Sequence, residues 1–334
     1  MGTKLSELYT KRQGKYVKKA EDEDFMTGMN LTLQKREFEL YKDYNIDYPF
    51  LFVFGLPRSG TTLLTQVIAH SFDIGFINNL MARFWLAPVH GVRLSKLILG
   101  TKKDTAYQSD YAATNELTDI HEFGYFWRYW LKKESFTGVT KAKEIEKEID
   151  WPGLKKTLAN LQHEFGKAMI FKNIFGSYHL QRLKEFLNKV IYIYIRRDPL
   201  DVAVSILAAR RKYYRDLNTW WSYMPIEYDK IKDLDYWEQI AGQVYYLQRY
   251  YDTETDPSRL ENVVQVEYSD LAHRPLKVLH EISEKSQVLF NYSLNIINKP
   301  PANFPFRAHN NKNEEKEKFR KLMEEFKHNR SKRA

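Results

Sequence analysis

The residues best suited to chemistry form a short loop, GLPRSGTT, at positions 55–62. Two glycines separated by four residues and followed by hydroxyl side chains are the spacing of a phosphate-binding loop. Glycine permits positive φ angles and a close approach of the backbone. The N–H groups of such a loop and of the helix after it converge on an anion. The pattern predicts an anion site made by Arg58, Ser59, Gly60, Thr61 and Thr62.

The cation of this loop is not where a nucleoside triphosphatase requires it. Position 61, which is lysine in those enzymes, is threonine, and the positive charge is at Arg58 instead. A triphosphate with magnesium also needs a carboxylate near the metal, but the apolar run at 190–195 ends in Arg196 and Arg197. We therefore expect an anion that is bound without a metal ion.

A second basic segment, RRDPLDVAVS, occupies positions 196–205. Neighbouring residues of an extended chain point to opposite sides, so only one of Arg196 and Arg197 is expected to face the ligand. Asp198 and Pro199 are typical of the first positions of a helix. The loop and this segment both follow predicted strands, and open α/β sheets bind ligands at the carboxyl ends of their strands.

Together, PRSGTT and RRDPLDVAVS resemble the two motifs of the PAPS-dependent sulfotransferases, and the resemblance extends over about residues 48–290. The loop sequence GLPRSGTT, with arginine in place of lysine, is more similar to the broad bacterial and Golgi-type branch than to the cytosolic phenol and steroid enzymes. The resemblance implies that the loop wraps the 5′-phosphosulfate of 3′-phosphoadenosine-5′-phosphosulfate (PAPS). It also implies that Arg197 and Ser205 hold the 3′-phosphate and that Tyr268, in YSDL, lies near the adenine.

The same resemblance implies catalytic roles. Arg58 would stabilise the charge on the departing phosphate, and Lys172, at the end of the apolar run AMIF, corresponds to a basic residue that would assist the leaving group. The alternative for Lys172 is a strand-end lysine in solvent. The sequence departs from the cytosolic members in two places. Ile174 replaces the histidine of their Lys-Thr-His triplet. Their C-terminal Arg-Lys-Gly segment is absent here, and Arg307 is the remaining candidate for its role.

A general base is therefore sought elsewhere, and the aromatic-rich segment TDIHEFGYFWRYW at 118–130 contains two candidates. We expect Glu122 or His121 to take the acceptor proton, and we favour Glu122 because aromatic surroundings raise the pKa of a carboxyl group. The alternatives are that Glu122 pairs with Arg128 or Lys132, that His121 is a surface imidazole, and that the base lies in another segment.

The elements that must position these residues follow from the apolar pattern. Apolar, β-branched and aromatic runs predict strands at 48–54, 74–77, 168–171, 190–195 and 262–267. Segments with helical periodicity separate them. This alternation predicts an α/β fold, a central parallel sheet flanked by helices with the phosphate-binding loop at one edge.

Three parts of the chain differ in composition. We expect a polar, at most helical N-terminal extension at 1–47, an α/β domain at 48–300, and a charged, solvated, helical tail at 301–334. The chain has no cysteine, which excludes disulfides, thiolate metal sites and a cysteine nucleophile, and is compatible with the cytoplasm, where we expect the protein. No apolar run reaches the roughly 20 residues of a membrane span, and the N-terminus lacks a signal-peptide core.

The net charge of +9 favours an anionic ligand, although no zinc-finger spacing or RNA-binding aromatic motif indicates nucleic acid. We therefore expect a sulfotransferase that uses PAPS, needs no metal, and releases PAP. Its acceptor would be a hydroxyl or amine of a small molecule or sugar. A P-loop nucleotide kinase or triphosphatase, and a non-catalytic protein that binds PAP or nucleic acid, remain the alternatives.

Overall fold

The structure is a computed structural model, and it describes residues 11–100, 107, 116–133, 145–172, 174–256, 258–306, 308 and 313–331. The described residues form one five-stranded sheet with the order β2-β3-β1-β4-β5, and every neighbouring pair is parallel. Its strands are β1 (Phe50–Gly55), β2 (Gly75–Phe76), β3 (Met169–Lys172), β4 (Val190–Arg196) and β5 (Val263–Glu267).

Helices cover both faces of this sheet. In chain order they are α1 (Ala20–Leu40), α2 (Thr61–Ser71), α3 (Pro88–Leu99), α4 (Gly124–Trp130), α5 (Trp151–Phe165), α6 (Leu180–Leu187), α7 (Pro199–Tyr213), α8 (Tyr228–Ile231), α9 (Tyr236–Glu254), α10 (Tyr268–His273), α11 (Pro275–Phe290) and α12 (Asn313–Ser331). Within the part of the chain that the structure describes, none of these helices has the length and apolarity needed to cross a bilayer.

The central strands separate two buried layers, because alternate side chains of a strand point to opposite faces. One layer contains the aromatic residues Phe50, Phe52, Phe54, Tyr192 and Tyr194. The other contains the aliphatic residues Leu51, Val53, Ile191, Ile193 and Ile195. Strands that are buried on both faces have continuous apolar sequences, as these do. The predicted α/β fold with a central parallel sheet is confirmed.

The register of the sheet brings four strand ends to one edge. Gly55 of β1 lies beside Ile195 of β4, and Val53 lies beside Lys172 of β3. On the far side of β4, Arg196 pairs with Glu267, the last residue of β5. The glycine loop, Lys172, Arg197 and Tyr268 therefore all follow strand ends at the same edge.

The mixed charges of the C-terminal helix α12 led us to expect a helix that is solvated on all sides. This expectation is wrong. The Phe319 ring is fully buried, and its centroid lies 5.0 Å from that of the Trp237 ring on α9. Lys316 pairs with the buried Asp201 of α7 at 2.6 Å, and Arg211 pairs with Glu315 at 2.9 Å. One face of α12 thus belongs to the core. The division of the chain into three parts stays a prediction.

Replacing Phe319 with alanine tests this packing. We expect the free energy of unfolding to fall by about 3–5 kcal/mol, the usual cost of removing a fully buried phenylalanine. Urea titration measures the change, and Lys321→Ala on the exposed face of α12 is the control, with an expected change within about 0.5 kcal/mol. Equal effects of the two substitutions would show that α12 does not pack on the domain.

Candidate active site

The loop between β1 and α2 depends on its two glycines for different reasons. Gly60 has a φ of 105°, in the left-handed region, and a Cβ there would lie 2.7 Å from the Tyr268 ring. Gly55 lets the end of β1 approach β4 closely, because a Cβ at this position would lie 2.5 Å from the carbonyl oxygen of Ile195. Arg58 also has a positive φ, 70°, which costs a residue with a side chain some free energy. The loop is therefore held in one specific conformation.

This loop has the properties of an oxyanion site. Ser59 is fully buried, and its Oγ has no hydrogen-bond partner among the described residues. Gly60 is the N-cap of α2 and has no side chain to cap the first N–H groups of the helix. Those N–H groups and the helix dipole favour negative charge at this point. The residues present therefore fit a phosphate or sulfate group.

The second basic segment contacts the loop directly. Arg197 donates from Nη1 to the carbonyl oxygen of Arg58 at 2.7 Å, and Arg58 donates from Nε to Ser205 Oγ at 3.0 Å. The Arg197 guanidinium also lies 4.5 Å from the centroid of the Tyr268 ring. Arg196 points away, 3.7 Å from both Asp252 and Glu267. The strand alternation thus orients the two arginines as predicted.

Lys172 is a buried cation at the end of β3, not a solvated one. Its side chain is only 3% exposed. It donates to Thr62 Oγ1 at 2.7 Å and forms an ion pair with Glu122. A buried charge is tolerated only where such partners compensate it. The alternative of a strand-end lysine in solvent is therefore wrong.

Glu122 is brought to Lys172 by a short strand-like pairing beyond β2. The N–H of Asn79 donates to Asp119 and that of His121 to Ile77, both at 2.9 Å. The Glu122 side chain remains 40% exposed, so solvent and ligands can reach it. Phe123, the next residue, has a φ of 54°, a second left-handed residue beside the site.

The alternative partners of Glu122 are engaged elsewhere. Arg128 donates to the carbonyl oxygen of Lys133 at 3.3 Å, and the Lys132 ammonium lies 5.4 Å from the centroid of the Tyr129 ring. The pairing of Glu122 with Arg128 or Lys132 is therefore wrong, because Lys172 is its partner. Asn173, which follows Lys172, and Arg307 lie outside the described residues.

His121 is an uncharged imidazole at neutral pH. Burial lowers its pKa to about 4; the Glu122 carboxylate opposes this shift, and the charges of Arg83, Lys172 and Lys18 reinforce it. The N–H of Phe123 donates to His121 Nδ1 at 2.8 Å. Because Nδ1 accepts that bond, the ring proton is on Nε2. His121 therefore presents a hydrogen-bond donor, not a free lone pair.

Two cations near His121, Lys18 and Arg83, were not identified from the sequence. Lys18 precedes α1 and pairs with Glu23 at 2.9 Å, and Glu23 also accepts a hydrogen bond from the Tyr125 hydroxyl. The segment at 11–40 thus contributes to the site, although its polar pattern gave no sign of this. Only tertiary packing brings it there.

A comparison with known protein families identifies the family of this chain. The model of the sulfotransferase family matches residues 49–290, which include every candidate residue named above except Lys18, Glu23 and Arg307. The chain belongs to the sulfotransferase family. This family consists of enzymes that transfer sulfur-containing groups.

Two solved structures are similar to this sulfotransferase over most of its length. A sulfotransferase from Mycobacterium avium has 15% identity and a TM-score of 0.46, with 90% of this chain and 75% of that chain covered. A sulfotransferase from Mycobacterium tuberculosis has 15% identity and a TM-score of 0.45, with 90% and 85% covered. No curated protein matches this sulfotransferase significantly.

The lowered pKa of His121 predicts a pH-dependent stability. Between about pH 6.5 and pH 4 the unfolded chain binds a proton at His121 that the folded chain does not, so the free energy of unfolding falls as the pH falls through this range. We expect His121→Asn, which keeps an acceptor for the Phe123 N–H, to reduce this loss. Urea titrations at several pH values measure it, with the exposed His328→Asn as control. An unchanged pH dependence in His121→Asn would contradict the prediction.

Proposed function

We propose that this sulfotransferase moves the sulfuryl group of PAPS to a hydroxyl or amine of a small-molecule or carbohydrate acceptor and releases PAP. The observation that carries the proposal is the contact of Arg58 with Arg197 and Ser205, at 2.7 and 3.0 Å. It joins the two segments that resemble the 5′-phosphosulfate and 3′-phosphate motifs of PAPS-dependent enzymes. One donor molecule can therefore span both segments.

The donor would be bound by two groups of residues. The loop N–H groups, with Arg58, Ser59, Gly60, Thr61 and Thr62, would bind the phosphosulfate. Arg197 and Ser205 would bind the 3′-phosphate, since a guanidinium has five donors and can bind oxyanions through more than one of them. Tyr268 supports Arg197 through its ring, 4.5 Å from the guanidinium, and its proximity to the adenine stays a prediction.

In the reaction, the acceptor oxygen or nitrogen forms a bond to sulfur while the bond from sulfur to the phosphate oxygen breaks. The phosphate leaves with the electron pair, and Arg58, the α2 N-terminus and Lys172 would stabilise its charge. Lys172 suits this role because it contacts Thr62, in the first turn of α2, at 2.7 Å. The acceptor proton must pass to a base on the opposite side of the sulfur.

Glu122 fits the role of base better than His121. The Nδ1 lone pair of His121 is engaged by the Phe123 N–H, and its Nε2 carries the ring proton. The Glu122 carboxylate is partly exposed and is oriented by its ion pair with Lys172. We therefore propose that Glu122 takes the proton of the acceptor group and that His121 Nε2 donates a hydrogen bond near it.

The cytoplasmic location of the protein stays a prediction.

Calorimetry with PAP in the presence of EDTA tests donor binding. We expect the wild-type chain to bind PAP without metal, and Arg197→Ala and Ser205→Ala to weaken binding by about 1–3 kcal/mol each, as for lost hydrogen bonds to a charged group. Adenosine 5′-phosphosulfate, which lacks the 3′-phosphate, should be affected much less. Arg196→Ala is the matched control. Equal losses for both ligands would contradict the assignment, and stabilisation by ATP with magnesium in place of PAP would indicate a nucleotide kinase.

Replacing Glu122 with glutamine tests the base. The amide cannot accept the proton, so we expect the release of PAP from PAPS in the presence of an unsulfated acceptor to slow by roughly 10²–10⁴-fold. PAP affinity should be retained, and the acidic limb of the pH–rate profile should disappear. The exposed Glu116→Gln in the same segment is the control. Near-normal turnover would exclude Glu122, and a limb that persists near pH 4 would indicate His121.

A further inference from the structure

Arg83 lies in a rigid turn beside the proposed base. It ends a 3-10 turn, Met81–Arg83, in which Asn78 Oδ1 accepts from the Met81 N–H at 2.8 Å. From α1, the fully buried Asn30 donates to the Arg83 carbonyl oxygen at 2.8 Å and accepts from the Leu86 N–H at 2.9 Å. The backbone of Arg83 is therefore fixed on both sides.

The same pairing that positions Glu122 also places this turn next to it. Ile77 and Asn79, just before the turn, bond to His121 and Asp119. The charge of Arg83 lowers the pKa values of both His121 and Glu23. Arg83 is thus close to the proposed acceptor side of the site, whereas Arg58 lies in the loop at 55–62 and Arg197 follows β4.

Two of the three cations described at this side of the site are paired with carboxylates. Lys172 is paired with Glu122, and Lys18 is paired with Glu23. Arg83 is exposed, and its guanidinium makes neither a hydrogen bond nor an ion pair with the residues that the structure describes. Trp85 lies two residues later in the chain, and its ring is stacked on that of Tyr125 with a centroid distance of 4.7 Å.

We propose that Arg83 binds an oxyanion of the acceptor, a carboxylate, phosphate or sulfate group, and so selects anionic alcohols or amines. This inference rests on the proposed function and names the class of its acceptor. A guanidinium matches the geometry of oxyanions, and the fixed backbone of Arg83 lowers the entropic cost of using it. Among the described cations near His121, the pairing of Lys172 and Lys18 with carboxylates leaves Arg83 to meet the acceptor.

The experiment compares acceptors that differ only in an anionic group. Methyl β-glucoside is paired with its 6-carboxylate, 6-phosphate and 6-sulfate counterparts, and 4-hydroxybenzyl alcohol with 4-hydroxybenzoate. NMR titration measures their binding to the PAP-loaded protein, and PAP release measures transfer. We expect at least one anion to bind on the order of 10-fold more tightly than its neutral counterpart. Arg83→Gln should remove this difference without changing the affinity for the neutral compound, and Arg83→Lys should restore part of it.

The control is Arg93→Gln, which removes an equal charge from an arginine that is paired with Glu164 on the surface. The proposal would be overturned if no anion bound more tightly than its neutral counterpart, or if Arg83→Gln left the preference intact. Weaker PAP binding by Arg83→Gln would also overturn it, because Arg83 would then bind the donor. Failure of the wild-type chain to bind PAP, measured before any acceptor is added, would instead refute the proposed function.

Discussion

The buried charge of Lys172 is the constraint on which the arrangement of the site depends. An ammonium that is almost completely removed from water must be compensated, or its desolvation would destabilise the fold by several kcal/mol. Thr62 and Glu122 provide the compensation, and they come from different parts of the chain. The N-terminus of α2, the end of β3 and the segment that carries Glu122 are therefore fixed relative to one another. The same pairing orients the carboxylate that we propose as base.

A second constraint acts where β1 meets β4. Gly55 lies so close to the Ile195 carbonyl that no side chain fits, and this allows the loop to turn beneath Arg197. Left-handed residues with side chains, Arg58 and Phe123, stand on the two sides of the site. Such conformations cost free energy and persist where the surrounding contacts impose them. Arg197 holds the backbone of Arg58 on the proposed donor side, and His121 holds that of Phe123 on the proposed acceptor side.

The geometry of the proposed donor side could be predicted from the sequence because its signals are local. Apolar runs predicted the five strands, and Asp198 caps α7 through bonds to two N–H groups, as its position indicated. The strand alternation predicted that only one of Arg196 and Arg197 faces the ligand, and the family resemblance indicated Arg197. The pairing of Glu122 with Lys172 could not be predicted, since it joins residues that no periodicity relates. The buried face of α12 was missed for a similar reason: Phe319 is surrounded in sequence by charged residues, and of these Lys316 and Glu315 form ion pairs with α7.

This difference follows from how the two sides are built. The residues that we propose for donor binding lie in the loops and helix starts that follow strands of a parallel sheet, and the sheet positions these segments. The acceptor side is assembled from a 3-10 turn, the segment around His121, and Lys18, Glu23 and Asn30 of the N-terminal part, held by side-chain bonds. Asn30 illustrates the point, because its amide bonds to Arg83 and Leu86 only after α1 has docked. Changes in these segments can alter the acceptor while leaving the donor site intact, which is how one sheet can serve many acceptors.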